Sequence, residues 1–225
     1  DQAKHLAERT GYRHRVEQRN FDAAAFGLGV RFGNVLLSRF PIDDAERLAF
    51  EPLSTRQRWL AGNHDGLLAL VRTPEGPVAI AGLHLEVRSE EIRWRAAQAL
   101  AHIRRDRTLP LLILGDLNST PPGFPQSHPN GGRNAVASLF KAGFRADPAI
   151  RPHPKFFTFP SEAPRSVIDW IIAGPSFAIS STKTHPSALS DHLLVSATVT
   201  WAAEPGPKGA NLSTRQLPRL LKSPG

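Results

Sequence analysis

The segment Leu111–Asn118, LLILGDLN, constrains the fold of this chain most. Its apolar run has the length of a strand buried in a sheet, and it leads directly into Gly-Asp-Leu-Asn. Because side chains alternate along a strand, Asp116 and Asn118 are predicted to reach one face at the end of the sheet. A carboxylate and an amide placed there can orient a water molecule or a metal-bound oxyanion. The alternative is an Asx-turn that only terminates the strand.

The rest of the chain reads as short strands with a few helices between them. The clearest helix is Ser89–Asp106, where Ser89 is a suitable N-cap and apolar residues recur on one face from Ile92 to Ile103. The other predicted elements are a hairpin of Gly66–Arg72 and Pro77–Leu85, strands Asn34–Ser38, Leu109–Gly115, Val167–Ile172 and His192–Trp201, helices Lys4–Thr10 and Ala135–Ala142, and a loop over Ser119–Asn134. This pattern indicates an α+β or α/β domain.

Composition limits the chemistry that the chain can use. Its 225 residues are enough for one domain with a sizeable core. The absence of cysteine excludes disulfides, thiolate zinc sites and cysteine nucleophiles. Any metal must therefore be held by carboxylate, imidazole, amide or water ligands, which suit magnesium, manganese or calcium. No apolar run reaches the roughly 20 residues that a bilayer crossing requires.

The formal net charge of +8 favours an anionic partner such as nucleic acid, a phospholipid headgroup or a phosphorylated metabolite. The alternative is that the scattered arginines reflect genome composition. The segment Ala202–Gly225 is basic, rich in proline and glycine, and without periodicity. It predicts a disordered tail, which leaves residues 1–201 as the folded domain. Composition indicates neither a compartment nor an oligomeric state.

Three further places in the sequence could carry chemistry. His84 ends the second hairpin strand in Gly-Leu-His-Leu, where a structural histidine is the alternative. Asp169 stands within the apolar run VIDWII, and an acid in such a strand is costly to bury unless it is paired, most simply with a histidine. Asp191 and His192 precede the last predicted strand, where the alternative is a polar strand entry.

Taken in order, the motifs HL, GDLN, IDW and SDH resemble the pattern of the endonuclease/exonuclease/phosphatase superfamily. The segment Gly33–Ile42, GNVLLSRFPI, agrees with this resemblance, as does the pair Arg95-x-x-Gln98 on the predicted helix. Thr158-Phe159-Pro160, ahead of the strand that carries Asp169, is also similar to the family pattern.

The resemblance covers residues 1–201 and implies an α+β fold, an α/β-sandwich in which two packed mixed sheets are flanked by helices in four layers. In the family, a first strand, a helix and a second strand ending in the principal metal-ligating glutamate precede the matched region. The chain contains no methionine and starts where the pattern has just passed these elements. We therefore expect an N-terminally incomplete sequence, with the glutamate upstream of Asp1, that binds metal poorly and is weakly active or inactive in isolation.

The resemblance also implies roles for individual residues. Asp116 would deprotonate or orient the attacking water, and Asn118 would hold the nucleophile or a phosphoryl oxygen. His192 would contact the scissile phosphate, with Asp169 setting its tautomer and charge. His84 would stabilise developing charge or protonate the leaving oxygen.

Asp191 is implied as a metal ligand, directly or through water, with Mg²⁺ expected and Mn²⁺ or Ca²⁺ as alternatives. The implied reaction is metal-dependent hydrolysis of a phosphoester by water, as in a phosphodiesterase or nuclease that acts on DNA or RNA. The alternatives are a lipid or sugar phosphate hydrolase and a non-catalytic binding scaffold of the same fold. Phe124, Phe156 and Phe157 are candidates for lipid contact, with core packing as the other interpretation.

Overall fold

A computed structural model of the chain describes residues 2–25, 28–51, 54–55, 64–127, 131–147 and 153–202. The chain begins with helix α1 (Gln2–Thr10) and continues into strands β1 (His14–Ala25) and β2 (Leu28–Ser38). These two strands pair with each other in antiparallel register. Within the described ranges, no helix has both the length and the apolar character that a membrane crossing requires.

The largest sheet has six strands in the order β3–β4–β5–β6–β8–β7. The strands are β3 (Ile42–Leu48), β4 (Gly66–Thr73), β5 (Gly76–His84), β6 (Leu111–Asp116), β7 (Arg145–Ala146) and β8 (Asp169–Ala173). The sheet is mixed, because β5 and β6 are parallel whereas the other neighbouring strands are antiparallel. A parallel pair needs a crossover connection, and helix α2 (Glu90–Asp106) supplies it.

Local signals in the sequence explain where the two helices beside this sheet begin. Ser89 caps α2, with its hydroxyl accepting a hydrogen bond from the amide of Ile92 at 3.3 Å. Asn134 caps α3 (Ala135–Lys141) in the same way. The buried face of α2, which includes Ala96 and Leu100, belongs to one hydrophobic core with α3 and the six-stranded sheet. The helices therefore cover one face of the sheet.

The opposite face of the sheet is covered by strands β9 (Phe177–His185) and β10 (Leu194–Trp201), an antiparallel pair. Successive residues of β5 point to opposite faces of the sheet. Ala79 packs in the core between the sheet and the helices, whereas Val78 packs with Phe177 of β9 on the other face. This alternation is the expected consequence of burying both faces of a strand. Trp201 of β10 completes the second cluster.

The predicted α+β class is confirmed. Outside the six-stranded sheet, the described strands form two antiparallel pairs rather than a second mixed sheet. Of the predicted tail Ala202–Gly225, all but the first residue lies outside the described residues. The division into a domain of residues 1–201 and a disordered tail therefore stays a prediction.

The predicted hairpin and the predicted helices over Ser89–Asp106 and Ala135–Ala142 agree with the structure to within one or two residues. The last strand was predicted from His192, but it begins at Leu194, so the Asp191-His192 pair lies in the preceding turn. Strands β1, β3 and β9 were not predicted. Their sequences, HRVEQRNFDAAA, IDDAERL and FAISSTKTH, are polar, and such strands lack the apolar run that identifies a buried strand.

Candidate active site

Strands β5 and β6 end, and strand β8 begins, at the same edge of the sheet, which brings three of the predicted residues into one row. His84 is the register partner of Asp116 in the parallel pair β5–β6. Asp116 is in turn the register partner of Asp169 in the antiparallel pair β6–β8. Register partners point to the same face of a sheet. The pairing of these strands therefore determines the spacing of the three side chains.

The turn after β6 joins Asp116 to Asn118. The amide of Asn118 donates to Oδ1 of Asp116 at 2.8 Å, which is an Asx-turn. The side-chain nitrogen of Asn118 donates to Oδ2 of Asp116 at 3.2 Å and to the carbonyl oxygen of Leu85 at 3.0 Å. Asn118 has a φ of 48°, in the left-handed region that asparagine tolerates. The Asx-turn and the convergence of both side chains on the site are therefore two aspects of one arrangement.

Asp169 and His192 form a hydrogen-bonded pair. Nδ1 of His192 lies 2.8 Å from Oδ2 of Asp169, which leaves Nε2 of the imidazole for another partner. The ring of Phe159 packs against His192 with centroids 4.8 Å apart. Beside it, the carbonyl oxygen of Thr158 accepts from the amide of Leu193 at 2.8 Å, and its hydroxyl accepts from the amide of Asp169 at 3.3 Å. The Thr158-Phe159 segment therefore positions both members of the pair.

His84 lies on the other side of Asp116 from this pair. Its Nε2 is 3.7 Å from Oδ2 of Asp116, and 47% of its side chain is exposed. Burial lowers the pKa of His84, and the neighbouring imidazoles of His64 and His192 lower it further, against two nearby carboxylates. The imidazole of His84 is therefore mainly neutral at neutral pH.

The other two titrating groups are shifted in the opposite direction. Burial and the negative charge of Asp169 raise the pKa of Asp116 from 3.8 to about 6, against the hydrogen bond from Asn118. Partial burial acts to lower the pKa of His192. The hydrogen bond and charge of Asp169, together with the charges of Asp116 and Asp191, outweigh this effect and raise the pKa above 6.5.

His64 lies at the site, although no motif in the sequence identified it. Its ring meets the edge of the His84 ring with centroids 5.3 Å apart, and its Nε2 lies 3.6 Å from Oε2 of the buried Glu86. The hairpin register contained a signal for this placement. Leu67 pairs with Gly82 in this antiparallel hairpin, so two residues back along the chain from Leu67 and two residues forward from Gly82 place Asp65, the neighbour of His64, beside His84.

A buried ion pair lies behind the site, and the sequence motifs did not predict it either. Arg93 and Glu90 meet at 2.7 Å on α2, and both are almost completely buried. The second carboxylate oxygen of Glu90 accepts from the hydroxyl of Ser119 and from the amide of Ala135, each at 2.7 Å. Arg93 donates to the carbonyl oxygen of Glu86 at 2.6 Å. The pair therefore links the chain after β5, the turn after β6 and the start of α3.

A metal ion fits the donor set of the site. Asp116, Asp169 and His192 each offer one ligand atom, and these atoms lie within 4.8 Å of one another. Two carboxylates and an imidazole suit a hard divalent cation. The raised pKa of Asp116 agrees with this, because its causes are burial and unbalanced negative charge, which a cation would neutralise.

The remaining predicted residues are not part of this cluster. Asp191 is exposed and lines an open groove of about 890 Å³ between residues 160–162 and 186–191, so its role as a metal ligand stays a prediction. Phe124 and Phe157 belong to the hydrophobic core, and Phe156 packs against it. The core interpretation of these three phenylalanines is therefore confirmed.

Comparison with known proteins identifies relatives of this chain. The sequence model of the endonuclease/exonuclease/phosphatase family matches residues 1–192, most of the chain. No curated protein matches the sequence.

Several solved structures share the fold. An endonuclease/exonuclease/phosphatase from Beutenbergia cavernae is 18% identical, with a TM-score of 0.61 over 90% of this chain and 58% of its own. The catalytic domain of human nocturnin, solved with a bound sulfate anion, is 16% identical, with a TM-score of 0.60 over 88% of this chain and 75% of its own. A mannosyl-6-phosphatase from Bacteroides thetaiotaomicron is 17% identical, with a TM-score of 0.55 over 89% of this chain and 81% of its own. The chain thus spans less than two thirds of the length of the Beutenbergia protein.

Proposed function

This chain belongs to the endonuclease/exonuclease/phosphatase family, and from that membership we propose that it is a divalent-metal-dependent hydrolase that cleaves phosphodiesters with water as the nucleophile. The observation that carries the proposal is the convergence of four predicted residues at one end of the sheet. His84, Asp116 and Asp169 are register partners on adjacent strands, and His192 is hydrogen-bonded to Asp169. Hydrolysis of an anionic ester needs a base, charge neutralisation and a protonated leaving group, and this set of residues can supply them.

Asp116 is the proposed base. Without a metal ion, its pKa of about 6 leaves the carboxylate mainly ionised at neutral pH, so that it can accept a proton from water. Asn118, fixed beside it by two hydrogen bonds to the Asp116 carboxylate, would hold the nucleophile or a phosphoryl oxygen. The family resemblance and this contact geometry support the same assignment.

The two imidazoles have different proposed roles because their environments differ. Asp169 raises the pKa of His192 and so favours the protonated imidazole, whose Nε2 would donate to a non-bridging oxygen of the scissile phosphate. His84 stands on the opposite side of Asp116 and is mainly neutral, so we assign it to stabilising the charge that develops on the leaving oxygen, to which its N–H would donate a hydrogen bond.

Mg²⁺ is the proposed cofactor, with Mn²⁺ or Ca²⁺ as alternatives. Asp116 and Asp169 belong to the cluster of ligand atoms that would hold it, and Asp191, in the turn beside His192, would contribute directly or through water. A bound divalent cation supplies neutralisation of charge on the phosphoryl group. The chain has no cysteine, and the candidate ligand atoms are oxygen and nitrogen only. Both features support a hard cation over a thiolate-bound metal.

DNA or RNA is the proposed substrate because the formal net charge is +8. Long-range attraction of this kind raises the association rate with a polyanion. A sugar phosphate is the second candidate, since one relative of the same fold is a mannosyl-6-phosphatase. A lipid phosphate gains no support from the phenylalanines named above, which pack in or against the core.

The test uses the full-length protein. Hydrolysis of bis-p-nitrophenyl phosphate, plasmid DNA and mannose 6-phosphate is measured with Mg²⁺ and with EDTA. An Asp116→Ala variant is compared with Asp106→Ala, which removes an exposed carboxylate at the end of α2. We expect hydrolysis of the diesters that is lost in EDTA, falls at least about 100-fold in Asp116→Ala, and is unchanged in Asp106→Ala.

Hydrolysis of mannose 6-phosphate without diester cleavage would replace the nuclease by a sugar phosphatase. Lack of turnover of all three substrates and of phospholipids, combined with no detectable binding of Mg²⁺, would support a non-catalytic scaffold instead.

A further inference from the structure

We propose that His64 is a positioning residue that keeps the imidazole of His84 in its reactive orientation. The inference rests on the proposed hydrolytic function, because His84 is the residue through which His64 would act. It concerns a side chain for which the sequence motifs give no role.

The orientation of His84 needs an external support. Within the part of the chain that the structure describes, the imidazole makes no hydrogen bond, and its Nε2 lies 3.7 Å from Oδ2 of Asp116. That separation is too long for a hydrogen bond. Nearly half of the side chain is exposed. Rotation of the ring would therefore break no strong interaction.

His64 provides a contact that such a ring needs. The two imidazoles meet edge to face, with centroids 5.3 Å apart and an interplanar angle of 75°. This is a favourable geometry for two aromatic rings. His64 itself is only 20% exposed, and its Nε2 lies 3.6 Å from the carboxylate of the buried Glu86. The His64 side chain is therefore less exposed to solvent than the His84 side chain that it contacts.

Asp65, the residue after His64, is held by several hydrogen bonds. Asp65, completely buried, donates its amide hydrogen to Oδ1 of Asn20 at 3.0 Å, and its carbonyl oxygen accepts from Nδ2 of Asn34 at 2.8 Å. Its carboxylate accepts from the amide of Phe50 at 3.0 Å and from Arg47.

These contacts connect β1, β2 and β3 to a single residue. His64, which precedes Asp65 in the chain, contacts His84 at the site. A polar cluster buried in this way is rigid, because breaking any of its bonds leaves an unsatisfied group. The rigidity of Asp65 is thereby passed on to the orientation of the neighbouring imidazole.

The experiment compares His64→Ala, His64→Phe and the control His102→Ala in the full-length protein. His102 is exposed on α2 and away from the site. Crystal structures of each variant report the rotamer of His84, and steady-state kinetics report kcat and KM. The phenylalanine variant keeps an aromatic ring but removes both imidazole nitrogens, which separates positioning from chemistry.

We expect His84 to occupy more than one rotamer in His64→Ala and a single rotamer in the other variants. In kinetics, kcat should fall about 10- to 100-fold in His64→Ala with little change in KM, and His64→Phe should remain within about threefold of the parent.

An unchanged His84 rotamer in His64→Ala would overturn the inference, as would kinetics in which His64→Phe is impaired as much as His64→Ala. Because the crystallographic result does not depend on turnover, it tests the inference even where all phosphoesters fail as substrates. A lack of turnover by the parent protein would count against the proposed function only.

Discussion

Ionisation of the Asp116 carboxyl group destabilises the folded protein, because this group is buried beside a second carboxylate, that of Asp169. Its pKa rises from 3.8 to about 6 on folding, so the folded state binds the proton more tightly than the unfolded chain. The stability that this group contributes is therefore present below pH 3.8 and is lost as the pH rises through about 6. Residues tuned for catalysis commonly carry such a cost.

Asp116→Asn should consequently stabilise the metal-free protein above pH 6 while abolishing activity. The gain is at most about 3 kcal/mol at pH 8, the free energy that corresponds to the change in pKa, and it should disappear near pH 4. Urea unfolding in EDTA at pH 4, 6 and 8 measures it, with Asp106→Asn as the exposed control. A difference that does not vary with pH would contradict this electrostatic explanation.

The pair of His192 and Asp169 leads to a second prediction, on the pH dependence of activity. Asp169 raises the pKa of His192, so the protonated imidazole persists to higher pH than an isolated histidine. Asp169→Asn should move the alkaline limb of kcat/KM to lower pH and reduce kcat by about 10²- to 10⁴-fold. The pH profile on bis-p-nitrophenyl phosphate measures both effects. An alkaline limb that stays in place would mean that His192 does not act in its charged form.

Among the elements, the parallel pair β5–β6 depends on the glycine that precedes Asp116. Gly115 has a φ of 131°, and a Cβ atom there would lie 2.0 Å from the carbonyl oxygen of Leu83 on the neighbouring strand. No side chain fits between the two strands at this position. The Gly-Asp sequence is therefore required by the sheet as well as by the site.

Gly115→Ala should push β5 and β6 apart and move Asp116 away from His84. We expect a loss of about 1–3 kcal/mol or more in the free energy of unfolding, together with a fall in kcat. Gly82→Ala is the matched control, because a Cβ atom at Gly82 on β5 would meet nothing within 4 Å. Urea unfolding of both variants makes the comparison, and equal stability of the two would disprove the steric argument.

How well an element could be predicted depends on how much of its signal is local. Helix α2 carries its own cap and apolar face, and the hairpin of β4 and β5 carries its own turn. Strand β3 is instead formed by pairing with β4, although its sequence IDDAERL contains three acidic residues. A strand of this kind obtains its stability from a partner elsewhere in the chain, which a local window of sequence does not contain.

At the scale of the whole molecule, charge and fold act on different properties. The net charge of +8 affects the encounter with a polyanion but not the arrangement of the site. If nucleic acid is the substrate, KM for plasmid DNA should rise steeply between about 50 and 200 mM salt, because counterions compete for the phosphates. KM for bis-p-nitrophenyl phosphate, a small substrate, should change little in the same assay. Parallel changes for both substrates would argue against binding along a polynucleotide.

The sequence by itself determined the α+β class, the clearest helices and the hairpin, and the candidates His84, Asp116, Asn118, Asp169 and His192. These conclusions follow from periodicity, capping residues and the order of short motifs, all of which are local or linear properties. Only the tertiary structure decided that His84, Asp116 and Asp169 are neighbours, because strand register is set by packing across the sheet.

The tertiary structure also determined contacts that no sequence motif predicted. It placed His64 beside His84, supported by Asp65, and buried the Glu90–Arg93 pair behind the site. It showed that Asp191 stands in an exposed turn outside the cluster of Asp116, Asp169 and His192. Such contacts join residues that are far apart in the chain, so their geometry and electrostatics exist only once the strands have been packed together.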